Sequence, residues 1–264
     1  MFMKANLYFT ILLISLLLNC HYIYATTFEG EISTEGKGTA NRIIDKHTGE
    51  GIGNARISIP KQGFYTKTDT EGYFELDTHI NGTSIMSVKK DHYKPFSMTV
   101  NDNTFSAPIV LGIEKSNSDS YVVDSNMYHL GDNNYSDYSA NAGEFHMNAI
   151  GPAYSKKFIL KHLKFNKPIF LIIGSIIGID TDVARSLGQN KITNAFASPP
   201  EVYFNGNKIA EIKINGDSQK IRIPASLIKK NQVNEVLIKT GRNLMQTAYI
   251  DYDDIEFMNL FFEN

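Results

Sequence analysis

A chain of 264 residues with a net charge of -2, 42% hydrophobic and 20% charged, has ordinary globular composition and room for one or two packed units. That charge balance, without a basic cluster, argues against a phosphate-backbone partner, so no nucleic acid is expected. A single cysteine, Cys20, leaves no disulfide to staple the fold, which must rest on hydrophobic packing.

The first twenty-five residues have the layout of a secretory signal. Lys4 precedes the apolar run Ile11 to Ile14, then Ser15 and Leu16-Leu17-Leu18, before Asn19, Cys20 and a tail ending at Ala25. The run is too short for a membrane span, which needs about 20 apolar residues. Two processing routes stay open. Ile23-Tyr24-Ala25 offers cleavage after Ala25, giving a mature chain from Thr26. Leu17-Leu18-Asn19-Cys20 is similar to a bacterial lipobox that would acylate Cys20, with Asn19 departing from the usual small residue. The first fits the pattern better. Either way the chain is expected to be secreted or held at the cell envelope, with no membrane span in its mature form.

Residues 38–113 show short strand-like segments. Arg42-Ile43-Ile44-Asp45 reads as a strand closed by the turn residues Thr48-Gly49, and Ala55, Ile57 and Ile59 alternate with polar neighbours. Thr68-Asp69-Thr70-Glu71-Gly72 reads as a turn into a strand carrying Phe74 and Leu76. Asn81-Gly82 is a hairpin signal, and Ile85 to Lys89, Ser97 to Val100 and Ile109 to Ile113 complete an all-β sandwich. The order Ile43-Ile44-Asp45, Thr48-Gly49, Ile52, Asn54-Ala55, Thr68-Asp69, Gly72 and Phe74 resembles the carboxypeptidase regulatory-like domain. That resemblance implies a transthyretin-like β-sandwich, and a spacer or binding role. Gly51, Asn41 and His92 depart from the family's usual residues. His47-Thr48-Gly49-Glu50 matches the spacing of a zinc carboxypeptidase pair, but a catalytic zinc needs a third ligand and a scaffold. An exposed turn is the better reading.

A polar linker, residues 114–120, leads to a second unit, residues 121–264. Phe158 to Leu160 and the apolar run Ile169 to Ile179 read as buried strands, with Gly174 and Gly178 as strand bends. Glu201 to Asn207, Lys208 to Ile214 and Ile221 to Ile223, joined at Asn205-Gly206 and Asn215-Gly216, read as a three-strand meander. Asp182 to Gln189 and Ala225 to Lys230 are short helical turns, and Val233 to Lys239 and Ile255 to Phe262 the last strands. Tyr128 to Tyr135, Val202 to Gly206, Ile223 to Ile228 with Asn234, and Asp253 to Glu256 together resemble a galactose-binding-like jelly roll. The whole is therefore expected to be an all-β protein of two sandwiches.

Asp251-Tyr252-Asp253-Asp254 is the densest acidic feature. In an extended strand Asp251 and Asp253 share a face, where carboxylates repel unless protonated or bridged by a cation. Calcium, which takes six to eight oxygens, suits them, with Asp132 contributing if the first and last strands pair. The competing reading is a solvated loop guarding a sheet edge. Asp180 and Asp182 read as helix-entry capping. The histidines are never at metal-ligand spacing. Sugar recognition needs aromatic faces and polar groups, which Tyr128, Tyr135, Tyr138 and Tyr203 would supply; core packing is the alternative, and tryptophan is absent. The function expected is non-catalytic binding of carbohydrate at or beyond the envelope. The alternative is a structural or adhesion component contacting an envelope protein.

Overall fold

The computed structural model describes residues 40–117, 119–135, 145, 147–161, 163–190, 192 and 194–264. The signal segment with Cys20 and Ala25, and Tyr138, lie outside them. The first seven strands are β1 (Asn41–Asp45), β2 (Arg56–Ile59), β3 (Phe64–Lys67), β4 (Tyr73–Phe74), β5 (Ser84–Lys89), β6 (Phe96–Val100) and β7 (Val110–Ile113). They form two sheets, ordered β4-β1-β7 and β3-β2-β5-β6, with β1 and β7 parallel. Ile43, Ile57, Ile59, Met86, Val88, Val100 and Ile113 fill the space between them.

Eight further strands follow: β8 (Ser120–Leu130), β9 (Ala153–Ile159), β10 (Ile169–Ile177), β11 (Glu201–Phe204), β12 (Asn207–Glu211), β13 (Gly216–Ile223), β14 (Val233–Lys239) and β15 (Ile255–Glu263). A short helix, α1 (Asp182–Ser186), joins β10 to β11. The third sheet runs β13-β10-β15-β8 and the fourth β12-β11-β14-β9. Leu171, Ile173, Val202, Phe204, Val236, Ile238, Phe257 and Phe262 pack between these two. The protein is thus nearly all β, built as paired sheets.

The second and third sheets also pack on each other. Ile85 of β5 is buried against Met127, Ile177 and Met258 of the third sheet, and Ser97 of β6 meets Ser175 of β10 at 3.0 Å between hydroxyl oxygens. This explains why β10 and β15 are apolar nearly end to end: a strand covered on both faces needs no polar row. Where those layers touch, the third sheet is irregular. Ser218, Gly174 and Asn259 fall between paired residues at one level of β13, β10 and β15. Ser218 and Asn259 have φ of 52° and 61°, the left-handed region. Gly174 is needed there because a Cβ would lie 2.5 Å from Ser97 Oγ and 2.8 Å from Asn259 Cβ.

Local turn chemistry is as read from the sequence in the first half. Asp45 Oδ1 accepts the amides of His47 and Thr48, and Asp69 Oδ1 those of Glu71 and Tyr73. His47 and Glu50 are exposed on that turn. Several expectations need correction. Asn81-Gly82 joins no hairpin, since β4 pairs with β1 and β5 with β2 and β6. The meander is broken at its second step. β11 and β12 pair through Asn205-Gly206, but β13 crosses to the third sheet and pairs with β10. Asn215 directs that crossing: its side chain accepts from Ile179 N at 2.7 Å and donates to Ile179 O at 3.2 Å, tying the chain to the end of β10. The segment read as a linker is tied down by Lys94 N to Glu114 O and Ser116 N to His92 O, and Ser120 already opens β8. Phe64–Lys67 was not anticipated as a strand. Among the described residues, no helix is long and apolar enough to cross a membrane.

Candidate functional site

The acidic segment precedes the last strand, so the alternation that would align its carboxylates does not apply. First and last strands of the second half do pair, β8 with β15, and Asp132 joins the segment by accepting Tyr252 N at 2.9 Å. The four carboxylates then go to separate partners. Asp251 accepts from the amide groups of Asn134 at 3.0 Å and Asn243 at 2.9 Å. Asp253 accepts Asp180 N at 3.3 Å, inside the protein. Burial first, and the Asp180 carboxyl beside it, push Asp253 well above the usual carboxylate range. Asp180 is therefore not a helix cap. Thr181 fills that role, accepting Ala184 N. Asp254 Oδ1 lies 2.7 Å from His129 Nε2. Among the described residues, no group of three His, Cys, Asp or Glu side chains is placed to hold a metal ion.

His129 and Glu256 face each other across β8 and β15. His129 has an acceptor at each ring nitrogen, the Met147 carbonyl at Nδ1 and Asp254 at Nε2. Burial opposes its charge, yet Asp254 and Met147 outweigh burial and raise its pKa. Glu256 is fully buried, and neither carboxylate oxygen has a hydrogen-bond partner. Burial lifts it to about 7, against the pull of Lys61 and His129. These groups lie where the second and third sheets meet. They were invisible in the sequence because Glu256 sits in a strand otherwise read as core.

The three candidate tyrosines among the described residues are dispersed. Tyr128 packs with its ring centroid 4.6 Å from Tyr154 and 5.7 Å from Phe257, and its hydroxyl donates to Asp124 at 2.8 Å. Tyr135 lies beside Phe145, 6.5 Å between centroids, and burial pushes its hydroxyl up to about 12. Tyr203 stands between the core residues Val202 and Phe204 and so points to the outer face of the fourth sheet. Its hydroxyl donates to Glu201 at 2.6 Å, Lys208 grips Glu201 at 2.6 Å, and Lys239 Nζ lies 4.8 Å from its ring centroid.

Two clefts open where the second and third sheets diverge. One, of about 390 Å³, has Phe96 and Phe261 in its floor, and its cations are matched: Lys94 to Glu114 at 2.9 Å, Lys220 to Glu263 at 3.1 Å. The other, of about 500 Å³, is lined by Arg56, Ser58, Tyr65, Lys67, Lys89 and, from β8, Ser125. Tyr65 is 70% exposed, the most open of the large hydrophobic side chains among the described residues. Sequence reasoning missed this cleft, although Tyr65 and Lys67 alternate with Phe64 and Thr66 in a run of strand-forming residues.

No family model matches the chain, and no curated protein matches it. Among solved structures, it is similar to a β-D-glucuronidase from Dictyoglomus thermophilum at 12% identity and a TM-score of 0.27, over 56% of this chain and 29% of that one. A structure described as showing the promiscuous specificity of carbohydrate-binding modules of the β-sandwich superfamily aligns at 8% identity and a TM-score of 0.14, over 85% and 92% of the two chains. At these scores neither likeness carries an argument.

Proposed function

We propose that the protein is an exported, non-catalytic carbohydrate-binding protein of the cell envelope or the space outside it. The observation that supports this reading is Tyr65. An aromatic ring 70% open to solvent stands in a groove lined by Ile57 together with the hydroxyls of Ser58, Thr66 and Ser125 and the cations Arg56, Lys67 and Lys89. Such a ring offers an apolar face to a sugar's C–H groups while the polar side chains meet its hydroxyls. Tyr203 offers a second, shallower face on the fourth sheet. A glycan array tests the reading. Tyr65→Ala is expected to abolish binding, Tyr203→Ala to weaken it, and both variants to melt like the wild type. Loss of binding in neither variant would refute it. Export is tested on the mature protein, whose first residue is expected to be Thr26; a lipid on Cys20 would select the other route.

A second reading, adhesion to an envelope protein, is favoured by one loop. Leu244, Met245, Tyr249 and Ile250 between β14 and β15 are 44%, 55%, 52% and 60% exposed. It predicts envelope binding that survives removal of glycans and is lost on Ile250→Asp. Turnover of any glycan by the pure protein would make it an enzyme instead.

A further inference from the structure

We propose that the cleft holding Tyr65 selects an acidic sugar, one bearing a carboxylate or a sulfate, whose anionic group is held by Arg56, Lys67 and Lys89. This rests on the glycan-binding reading above and names the ligand class for the same site.

Strand register puts the three cations in a single row. Arg56 on the central strand β2 is directly opposite Lys67 of β3 on one side and Lys89 of β5 on the other. Directly paired residues have Cβ atoms about 4.5–5.5 Å apart, and like charges so placed repel. A structural row would be expected to carry neutralising carboxylates. Here, among the described residues, no ion pair or hydrogen bond engages any of the three side chains. The contrast with the opposite cleft, where Lys46, Lys94 and Lys220 all meet Glu114 or Glu263, is direct.

Lys89 sharpens the point. It is half-buried in the cleft, and burial first, then Arg56, hold its pKa below the usual lysine value. Asp124 is the carboxylate that acts on it favourably, but its Oδ2 is taken by Tyr128, Tyr154 and Lys156. A cation that has lost water and gained no counter-ion is stabilised by an arriving anion. Arg56 offers a planar fork suited to two oxygens of a carboxylate or sulfate, and the lysines add point charges on either side. Tyr65 projects from the same face of β3 as Lys67, two residues away, or about 7 Å along the strand. One sugar can therefore lie on the ring while its acidic substituent, or its neighbour's, reaches the row. The row crosses three strands and ends. Nucleic-acid sites neutralise a longer track, on the order of 6–10 phosphates.

Calorimetry on the full mature chain tests this with three probes of matched linkage: a neutral oligosaccharide, its uronate counterpart and its sulfated counterpart. Both acidic probes are expected to bind about tenfold or more tightly than the neutral one, and to weaken as salt is raised. Arg56→Gln and Lys89→Gln should each weaken the acidic probes by about tenfold without lowering the melting temperature, while Tyr65→Ala weakens all probes. Equal affinity for neutral and acidic probes, or acidic binding untouched by both substitutions, overturns this inference and leaves the glycan reading standing. Failure of every probe overturns both. A single-stranded oligonucleotide bound as tightly as the acidic sugars would overturn it in favour of another polyanion.

Discussion

Replacing Glu256 by glutamine should raise the stability of this protein relative to the wild type as the pH goes from acid to alkaline. In the folded chain Glu256 is enclosed between the second and third sheets, with no hydrogen bond to either oxygen. The charged or titratable groups facing it are Lys61 from the 3-10 turn Pro60–Gln62, His129 from β8 and Tyr135. Burial dominates over the two cations and lifts its pKa from 4.5 to about 7. Below pH 4.5 the carboxyl is neutral in both folded and unfolded chains and has no effect. Between 4.5 and 7 the unfolded chain releases its proton and the folded one keeps it, so stability falls as pH rises. Above 7 both are ionised and the full penalty, about 3 kcal/mol at about 1.4 kcal/mol per pH unit, is in place. Glutamine cannot ionise and escapes this slope, although its buried amide costs about 1–3 kcal/mol at every pH. The diagnostic quantity is therefore the change in the stability difference between the two proteins. Urea unfolding of both from pH 4.5 to 8.5 should show the variant gaining about 3 kcal/mol relative to wild type. Parallel curves across that range would refute the burial argument.

Two further outcomes test the layering and the acidic segment. Gly174→Ala should destabilise by about 1–3 kcal/mol, because its methyl would press on Ser97 Oγ and Asn259 Cβ; Ser97→Ala in the same chain should recover part of that loss in thermal melts, and full additivity would mean the two sheets do not meet there. The calcium expectation is carried forward as a melting experiment in excess chelator and in millimolar calcium. With Asp132, Asp251, Asp253 and Asp254 each engaged by a protein group, the two midpoints should coincide, and a rise of several degrees with calcium would restore a cation to that segment.

What was legible in the sequence was local. Asp45, Thr68 and Asp69 organise turns through atoms a few residues away, or across one short reversal, and the turns read from them formed. β14 and β15 were bounded to within a residue because their alternation or their unbroken apolarity is a property of the strand itself. Asn-Gly steps misled because they specify a reversal and not the partner. Asn205-Gly206 returns β12 onto β11, whereas Asn215-Gly216 delivers β13 to β10, and the deciding contact, Asn215 with Ile179, spans 36 residues. The partners of the acidic segment were hidden in a similar way. Adjacent aspartates suggested one site, but Asp180 and His129 lie 73 and 125 residues from the aspartates they engage.

The cation row shows why a site can be hidden in composition that looks neutral. Arg56, Lys67 and Lys89 are 11 and 22 residues apart, so no window along the chain contains a basic run. Register alone assembles them: β2 turns back into β3 through the 3-10 turn closed by Gly63, and β5 arrives on the other edge of β2. Net charge cannot reveal this, because the glutamates that balance the total sit in the opposite cleft and on the fourth sheet. Separating those charges costs the folded chain cross-strand repulsion, about 0.2–1 kcal/mol for each opposed pair. Arg56→Gln should relieve it, raising the melting temperature at low salt while weakening an acidic ligand. A substitution that both stabilises the sheet and removes binding is what a functional row, as opposed to a solvated one, requires.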